Sequence, residues 1–409
     1  MASPSTTPSF TDRAQLDWMI SVDDHVLEHP RVWLDRLPAK YAEVAPQVVR
    51  EGDEEYWVYE GKKVPTTGLG ASAGRARSEF TTKPLRFDEM RPGCYDSKAR
   101  LEDMNVDGVL ASLCFPSFPR FCGQVFHEAE DRELALLCVQ AYNDWMIDEW
   151  CGSAPGRFIP LTLIPLWDPQ LAVKEIERCK DKGASGFCFS EGPSALGLPS
   201  LYDAGRYWDP VLKAAEDTGM VVCTHIGSSS RMPTTAPDCP MMVSVVLQPL
   251  NAMNNLTDWL FSGALVRFPQ IKVALSEGGI GWIPATLERA AYVLDRHRYW
   301  AGKDGVSIKG QDGASLPPEV LDADLHQLFR DHIYGCFIDE EFGVANLDAI
   351  GIDNVMAETD YPHSDSSWPN SRKVIHARLA GRTDEEVYKI LQGNAIRVFD
   401  FTPAPIPQV

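Results

Sequence analysis

The chain has 409 residues, 44% of them hydrophobic and 23% charged, so it holds enough apolar material for a packed core and is not a disordered chain. Lys and Arg total 38 against 58 Asp and Glu, a net charge of −20. A surface that acidic repels phosphate backbones and anionic lipid, which excludes nucleic acid and membrane surfaces as expected partners and obliges any anionic substrate to find a locally positive pocket.

The opening segment, residues 1–15, is polar and has no apolar signal core, so the expectation is a chain kept in the cytoplasm. The ten cysteines form no CxxC pair. Cys114, Cys188, Cys223 and Cys336 sit inside apolar runs, where a reduced thiol acts as a small hydrophobe. No segment has the roughly 18 uninterrupted apolar residues of a membrane span.

Along the chain, short and nearly all-apolar runs recur. The first is 19–25 (MISVDDH). A long excursion over 30–95 follows, with a predicted hairpin at 56–64 and a Gly/Ser/Ala-rich loop, TGLGASAGRARS. The runs resume at 106–115, 157–166, 183–191, 220–227 and 271–279; after a second insertion over 302–325 they end with 332–339 and 354–363. Between them, 128–150, 168–182, 207–218, 241–262 and 282–299 have helical periodicity. Runs without alternation are the pattern of parallel strands covered on both faces. Eight βα units with no G-x-G-x-x-G turn predict a (β/α)₈ barrel of the TIM type, one domain over 1–409 with a long insertion after strand one. The tail TPAPIPQV is expected to be extended.

Barrel chemistry sits at the C-terminal ends of the strands. Strand one ends Asp23-Asp24-His25, and residues two apart on a strand face the same way, so Asp23 and His25 point inward together. Asp24 is expected to face away or to hold a neighbouring group. Strand five ends at His225, strand six at Glu277, and strand eight carries Asp360. Two imidazoles and two carboxylates, Asp23, His25, His225 and Asp360, suit one divalent metal, zinc or manganese, with a position left open. His363, three residues past Asp360, is a candidate substrate contact or acid/base. Trp282 and Trp368 lie in the same mouth loops and could stack on an aromatic ring. The other histidines (His29, His127, His297, His326, His332, His376) fall off the strand ends and read as surface or structural residues.

In order along the chain, ISVDDH, RPGCYD (residues 91–96), CTHIG and ETDYPH resemble the motifs of the amidohydrolase-related family typified by aminocarboxymuconate-semialdehyde decarboxylase and its aromatic-acid relatives. The resemblance implies that Asp23, His25, His225 and Asp360 are metal ligands. It also implies that Arg91 binds the carboxylate of a small, possibly aromatic substrate, and bidentate pairing of a guanidinium with a carboxylate agrees with that role. One position departs from the pattern. The decarboxylases have an acid/base histidine before the paired glycines of strand six, and here Glu277 stands there. A carboxylate beside an ion-activated water is a natural base for hydrolysis or hydration.

The first expectation is therefore non-oxidative decarboxylation of an aromatic or unsaturated acid, with Arg91, Glu277 and His363 in the chemistry. The alternative is a metal-dependent hydrolase or hydratase with Glu277 as general base, and the second alternative is a catalytically silent ligand-binding barrel. The apolar 241–261 stretch, the long first excursion and the resemblance together point to a homodimer.

Overall fold

The structure, a computed structural model, describes residues 12–64, 66–300 and 315–407. Each apolar run supplies a strand, and every residue of these strands is buried. The first is β1 (Met19–Val26), and the excursion after it carries β2 (Gln47–Glu51), β3 (Glu54–Tyr59) and β4 (Lys62–Val64). The second run yields β5 (Val109–Pro116), starting later than predicted because Val106 and Asp107 close the preceding helix, Ser97–Asp107, with Gly108 capping it at φ +79°. The third run, predicted as one strand, forms two pieces, β6 (Phe158–Ile159) and β7 (Leu161–Thr162). Pro160 between them has no N–H to give to a ladder. The remaining runs form β8 (Gly186–Ser190), β9 (Val221–His225), β10 (Val273–Ser276), β11 (Ile333–Phe337) and β12 (Val355–Ala357), each shorter than the run that predicted it.

All pairings in the barrel wall are parallel. β1 pairs with β5 and β5 with β6; β7 through β12 pair in sequence order. The two stretches of wall are continuous through Pro160. At the other seam, Asp360 N–H donates to the Asp23 carbonyl (2.9 Å) and His25 N–H to the Tyr361 carbonyl (2.7 Å). A regular parallel pair would return the second bond to Asp360 itself. The shift by one residue follows from Asp360, whose φ of +52° bulges the backbone as it leaves β12. The seam is thus closed by the residues that the sequence places in the site.

Four of the five helical stretches form without a break: Arg132–Trp145, which continues as a π-helical segment over Met146–Cys151, and, trimmed at their ends, Pro169–Asp181, Asp209–Thr218 and Ile283–His297. Asp168 caps the second, its side chain accepting from the Gln170 and Leu171 N–H groups. The stretch 241–262 is a correction: it forms two helices, Met241–Leu247 and Pro249–Phe261, because Pro249 cannot continue the hydrogen-bond ladder. Of the second insertion, 302–314 lies outside the described residues; 315–325 holds a short turn leading into the helix Leu325–His332. Residues 408–409 of the tail also lie outside them.

The long excursion covers the mouth of the barrel. The predicted hairpin is present with β2 added as a third antiparallel strand, and Trp57 on β3 packs against Trp33 and Phe118. The Gly-rich loop reaches strand eight, where Ser72 and Ala73 N–H both donate to the Pro362 carbonyl. Two buried charged groups then tie the excursion and the strand ends together. Glu28 accepts backbone N–H bonds from Ser117 (2.9 Å) and Phe118 (2.8 Å), joining the chain after β1 to the loop after β5. The Arg100 guanidinium donates to the Gly93 carbonyl (2.7 Å) and the His25 carbonyl (2.5 Å) and lies over the Tyr361 ring.

Arg100→Ala would leave two buried carbonyls unpaired, and a loss of about 3 kcal/mol is expected in urea denaturation. Glu28 gives a pH prediction. Burial pushes its carboxyl from 4.5 up to about 7. The folded chain therefore holds a proton that the unfolded chain has released, and stability falls as pH rises through that window. Relative to Glu28→Gln, the wild type should lose up to about 3 kcal/mol between pH 4.5 and 7, with no further change above about pH 8. Urea denaturation of both proteins across the window checks it.

Candidate metal centre

Alternation along β1 sorts its three polar residues. Asp23 and His25 face the barrel axis, and Asp24 points the other way into a polar nest. There its carboxylate accepts from Ser21 Oγ (2.9 Å), Thr359 Oγ1 (2.5 Å), Ser112 Oγ and the Tyr361 N–H (3.1 Å). Asp24 therefore holds β1, β5 and the strand-eight loop in one register, the second of its two expected roles.

Asp23, His25, His225 and Asp360 meet at the barrel mouth, each at most 1% exposed. His25 Nε2 lies 3.7 Å from Asp23 Oδ1, 3.3 Å from Asp360 Oδ1 and 3.2 Å from His225 Nε2. His225 Nε2 is in turn 3.4 Å from Asp23 Oδ2. Among the described residues, neither oxygen of Asp23 nor of Asp360 has a hydrogen-bond partner. A buried carboxylate left without a partner costs several kcal/mol, so native proteins keep one only where something else meets it. A divalent cation could meet them: the ligand atoms of Asp23, His25 and His225 lie within 4.8 Å of one another, as do those of His25, Glu277, Asp360 and His363, with His25 common to both groups. The tautomer of His225 fits as well: its Nδ1 is 2.6 Å from the Ile226 carbonyl, so Nδ1 holds the proton and Nε2 turns a lone pair toward the centre.

The electrostatics agree. Burial, then the neighbouring carboxylates Glu358, Asp360 and Glu277, raises the Asp23 carboxyl well above its ordinary range. Asp360 is raised in the same way, by burial first and then by Asp365 and Glu358. Burial lowers His225 to about 3 and holds His25 well below its usual value. These are the shifts of carboxylates and imidazoles buried side by side, and a positive charge among them would favour the ionised carboxylates.

Glu277 reaches the same space. Its φ is +57°, an uncommon backbone state for a residue with a side chain, and its Oε2 lies 3.2 Å from His225 Nε2. His363 stacks on His25, with ring centroids 3.6 Å apart and planes 15° apart, and its Nδ1 is 3.1 Å from Asp360 Oδ1. The Gly-rich loop passes over it; a Cβ on Gly70 would stand 3.7 Å from the His363 ring.

Arg91 sits one layer out. Its Nε and Nη2 grip Asp103 at 2.6 to 2.8 Å, and its guanidinium lies 4.4 Å over the Trp368 ring. Asp103 also accepts from the Tyr361 hydroxyl (2.5 Å), which connects Arg91 to the residue after Asp360. Gly93 allows this: a Cβ there would fall 2.1 Å from Asp103 Oδ2. Trp368 is fixed by Arg91 and by the bond from its Nε1 to the Asp103 carbonyl (3.1 Å). Trp282 is half-buried, with its Nε1 bound to the Gly278 carbonyl (2.7 Å). Of the histidines read as structural, His332, His376 and His127 each bond a backbone carbonyl.

Three site residues escape the sequence reading. Glu358 accepts from the Cys336 thiol and from the Glu277 N–H, which fixes the strand-six turn; burial raises it to about 7. Glu191 directly follows β8 and gathers the loop after His225 through the Gly227 and Ser229 N–H groups. The strand-end rule that found the ligands would have found both. Phe121 carries no such signal. It lies in the loop after β5, and its ring stacks on His225 with centroids 4.1 Å apart.

The chain matches the amidohydrolase family over residues 28–401. It is 23% identical over 364 residues to the 2-amino-3-carboxymuconate-6-semialdehyde decarboxylase of Caenorhabditis elegans, covering 77% of this chain and 83% of that one. Among solved structures, an amidohydrolase of Mycobacterium avium subsp. paratuberculosis K-10 superposes with a TM-score of 0.69 at 18% identity, over 93% of this chain and 99% of that one. A dihydroxybenzoic acid decarboxylase of Polaromonas sp. JS666, solved with bound manganese and the inhibitor 2-nitroresorcinol, gives a TM-score of 0.56 at 18% identity, over 94% and 97% of the two chains. With the parallel barrel wall and the match over nearly its whole length, the chain belongs to the amidohydrolase family.

Proposed function

We propose that this protein is a metal-dependent carboxy-lyase that removes carbon dioxide from a small aromatic or unsaturated carboxylic acid. The observation that carries the reading is the pair of buried, partnerless carboxylates, Asp23 and Asp360, facing two imidazoles. Its direction toward decarboxylation comes from relatives whose names describe decarboxylases. Zinc and manganese both suit the donor set. A divalent ion, when bound, supplies positive charge against a substrate oxygen.

The protein's own residues do the rest. Arg91 is oriented by Asp103 and Trp368, and its Nη1 edge takes no acceptor among the described residues, so it can receive a substrate carboxylate. His363, 16% exposed and stacked on His25, faces the opening and can hand a proton to the carbon that loses carbon dioxide. Trp282 and Phe121 offer flat walls for a planar substrate. A hydrolase or hydratase is the second reading, and Glu277 favours it, since a carboxylate at the strand-six position suits a general base. Retention of all four ligand positions counts against a silent barrel. Ten free cysteines suit a reducing cytoplasm, and the exposed Met241, Met242 and Val246 suit a homodimer. Among the described residues no helix is long and apolar enough to cross a membrane.

Protein purified without chelator should contain one zinc or manganese per chain by elemental analysis. Adding that ion to stripped protein should raise the thermal midpoint by several degrees, as expected for a ligand bound only by the folded state. Asp360→Ala should lose both effects; fully folded, metal-free wild type would leave the silent barrel. With a panel of hydroxybenzoates and of amides and lactones, carbon dioxide release against acid release separates the two enzymatic readings. In the carboxy-lyase case His363→Gln should lower kcat about 100-fold, and Arg91→Lys should act mainly on KM.

A further inference from the structure

Ions that bind nitrogen and carboxylate ligands at about 2.0–2.2 Å place neighbouring ligand atoms about 3.0–3.5 Å apart and opposite ones about 4.2 Å apart. The contacts among His25, His225, Asp23 and Asp360 run from 3.2 to 3.7 Å. Glu277 meets the same test. Its Oε2 is 3.2 Å from His225 Nε2, and Glu277, His25, Asp360 and His363 offer ligand atoms that all lie within 4.8 Å of one another.

The contact with His225 carries the argument. If Nε2 bore a hydrogen, 3.2 Å would be a hydrogen bond to the carboxylate. It does not, because the proton is on Nδ1, held by the Ile226 carbonyl at 2.6 Å. The lone pair of Nε2 therefore faces a carboxylate oxygen of Glu277. At that distance the two are held together by a positive charge between them, which a proton or a metal ion can supply. Asp23 and Asp360, fully buried and without partners, point into the same small volume.

We infer that Glu277 is a fifth ligand of the metal, standing where the family resemblance expects an acid/base histidine. The inference rests on the metal centre proposed above and removes Glu277 from the proton-transfer step, leaving His363 for it. Three carboxylates against a divalent ion make the centre formally anionic, −3 + 2 = −1. Five nitrogen and oxygen ligands suit five- or six-coordinate manganese or zinc better than a tetrahedral site. With Glu277 among the residues that would hold the ion, Arg91 is the group that would receive the substrate carboxylate.

Cobalt(II) substitution tests this without an activity assay. The wild-type cobalt protein should show the weak visible absorption of a five- or six-coordinate ion. Glu277→Gln should raise the cobalt and zinc dissociation constants, measured by chelator competition, at least about tenfold, the size of effect that groups outside the coordination sphere already produce. Its visible bands should intensify toward a four-coordinate spectrum. Glu277→Asp, which keeps the charge on a shorter arm, should fall between the two, and it gives the same reading if Glu277→Gln does not fold. Unchanged affinity and spectrum in the folded variants would overturn the inference while leaving the metal centre standing. A wild-type protein that takes up no cobalt or zinc would remove the metal centre and this inference together.

Discussion

Like charge held out of water is the constraint around which this molecule is organised. Asp23, Glu277, Glu358 and Asp360 lie within one low-dielectric space, and their carboxyls are all raised by burial and by one another. Asp24, the fifth acid of the cluster, has a cation and a hydroxyl nest of its own. Glu358 has the Cys336 thiol and the Glu277 N–H, whereas the oxygens of Asp23 and Asp360 have no hydrogen-bond partner among the described residues, and a bound cation would resolve the conflict. A core of apolar residues at those positions would be more stable, so the arrangement makes sense only as a functional one.

Holding such a cluster in place takes a second layer of polar residues. Asp24 links β1 to Ser112 on β5 and to Thr359 and Tyr361 beyond β12, across the seam of the barrel. Arg100 fastens the His25 carbonyl, and Glu28 fastens the loop that places Phe121 on His225. Glu358 fixes the Glu277 backbone and Glu191 the loop after His225. Two of the site's acids, Glu277 and Asp360, occupy the left-handed backbone region. Strain of that kind persists only where surrounding bonds over-determine it, and here they do.

The same layer separates the tasks of the site in space. Asp23, His25, His225 and Asp360 are fully buried, whereas Glu277, His363, Arg91 and Trp368 stand partly exposed around the opening. The excursion after strand one supplies Arg91 and the Gly-rich loop over His363, so the segment that departs from the barrel repeat shapes what can enter. Placing Glu277 on the metal turns a position associated with proton transfer into one that sets the charge and coordination number of the ion.

The sequence by itself determined the parallel strands, their order and the strand-end positions of Asp23, His25, His225 and Asp360, because burial on both faces and strand alternation are local rules that leave a mark on composition. The residue that breaks a rule was legible too: Pro160 and Pro249 each interrupt an element where a missing N–H must, although the predicted runs passed over them. The tertiary structure alone decided the rest. Asp103 takes up most of the Arg91 guanidinium, Phe121 covers His225, and the Ile226 carbonyl sets the tautomer that exposes a lone pair to Glu277. Each of these is a contact between residues far apart in the chain, or a direction in which one atom faces another. Such relations depend on how the closed barrel brings loops together, and no periodicity in the sequence records them.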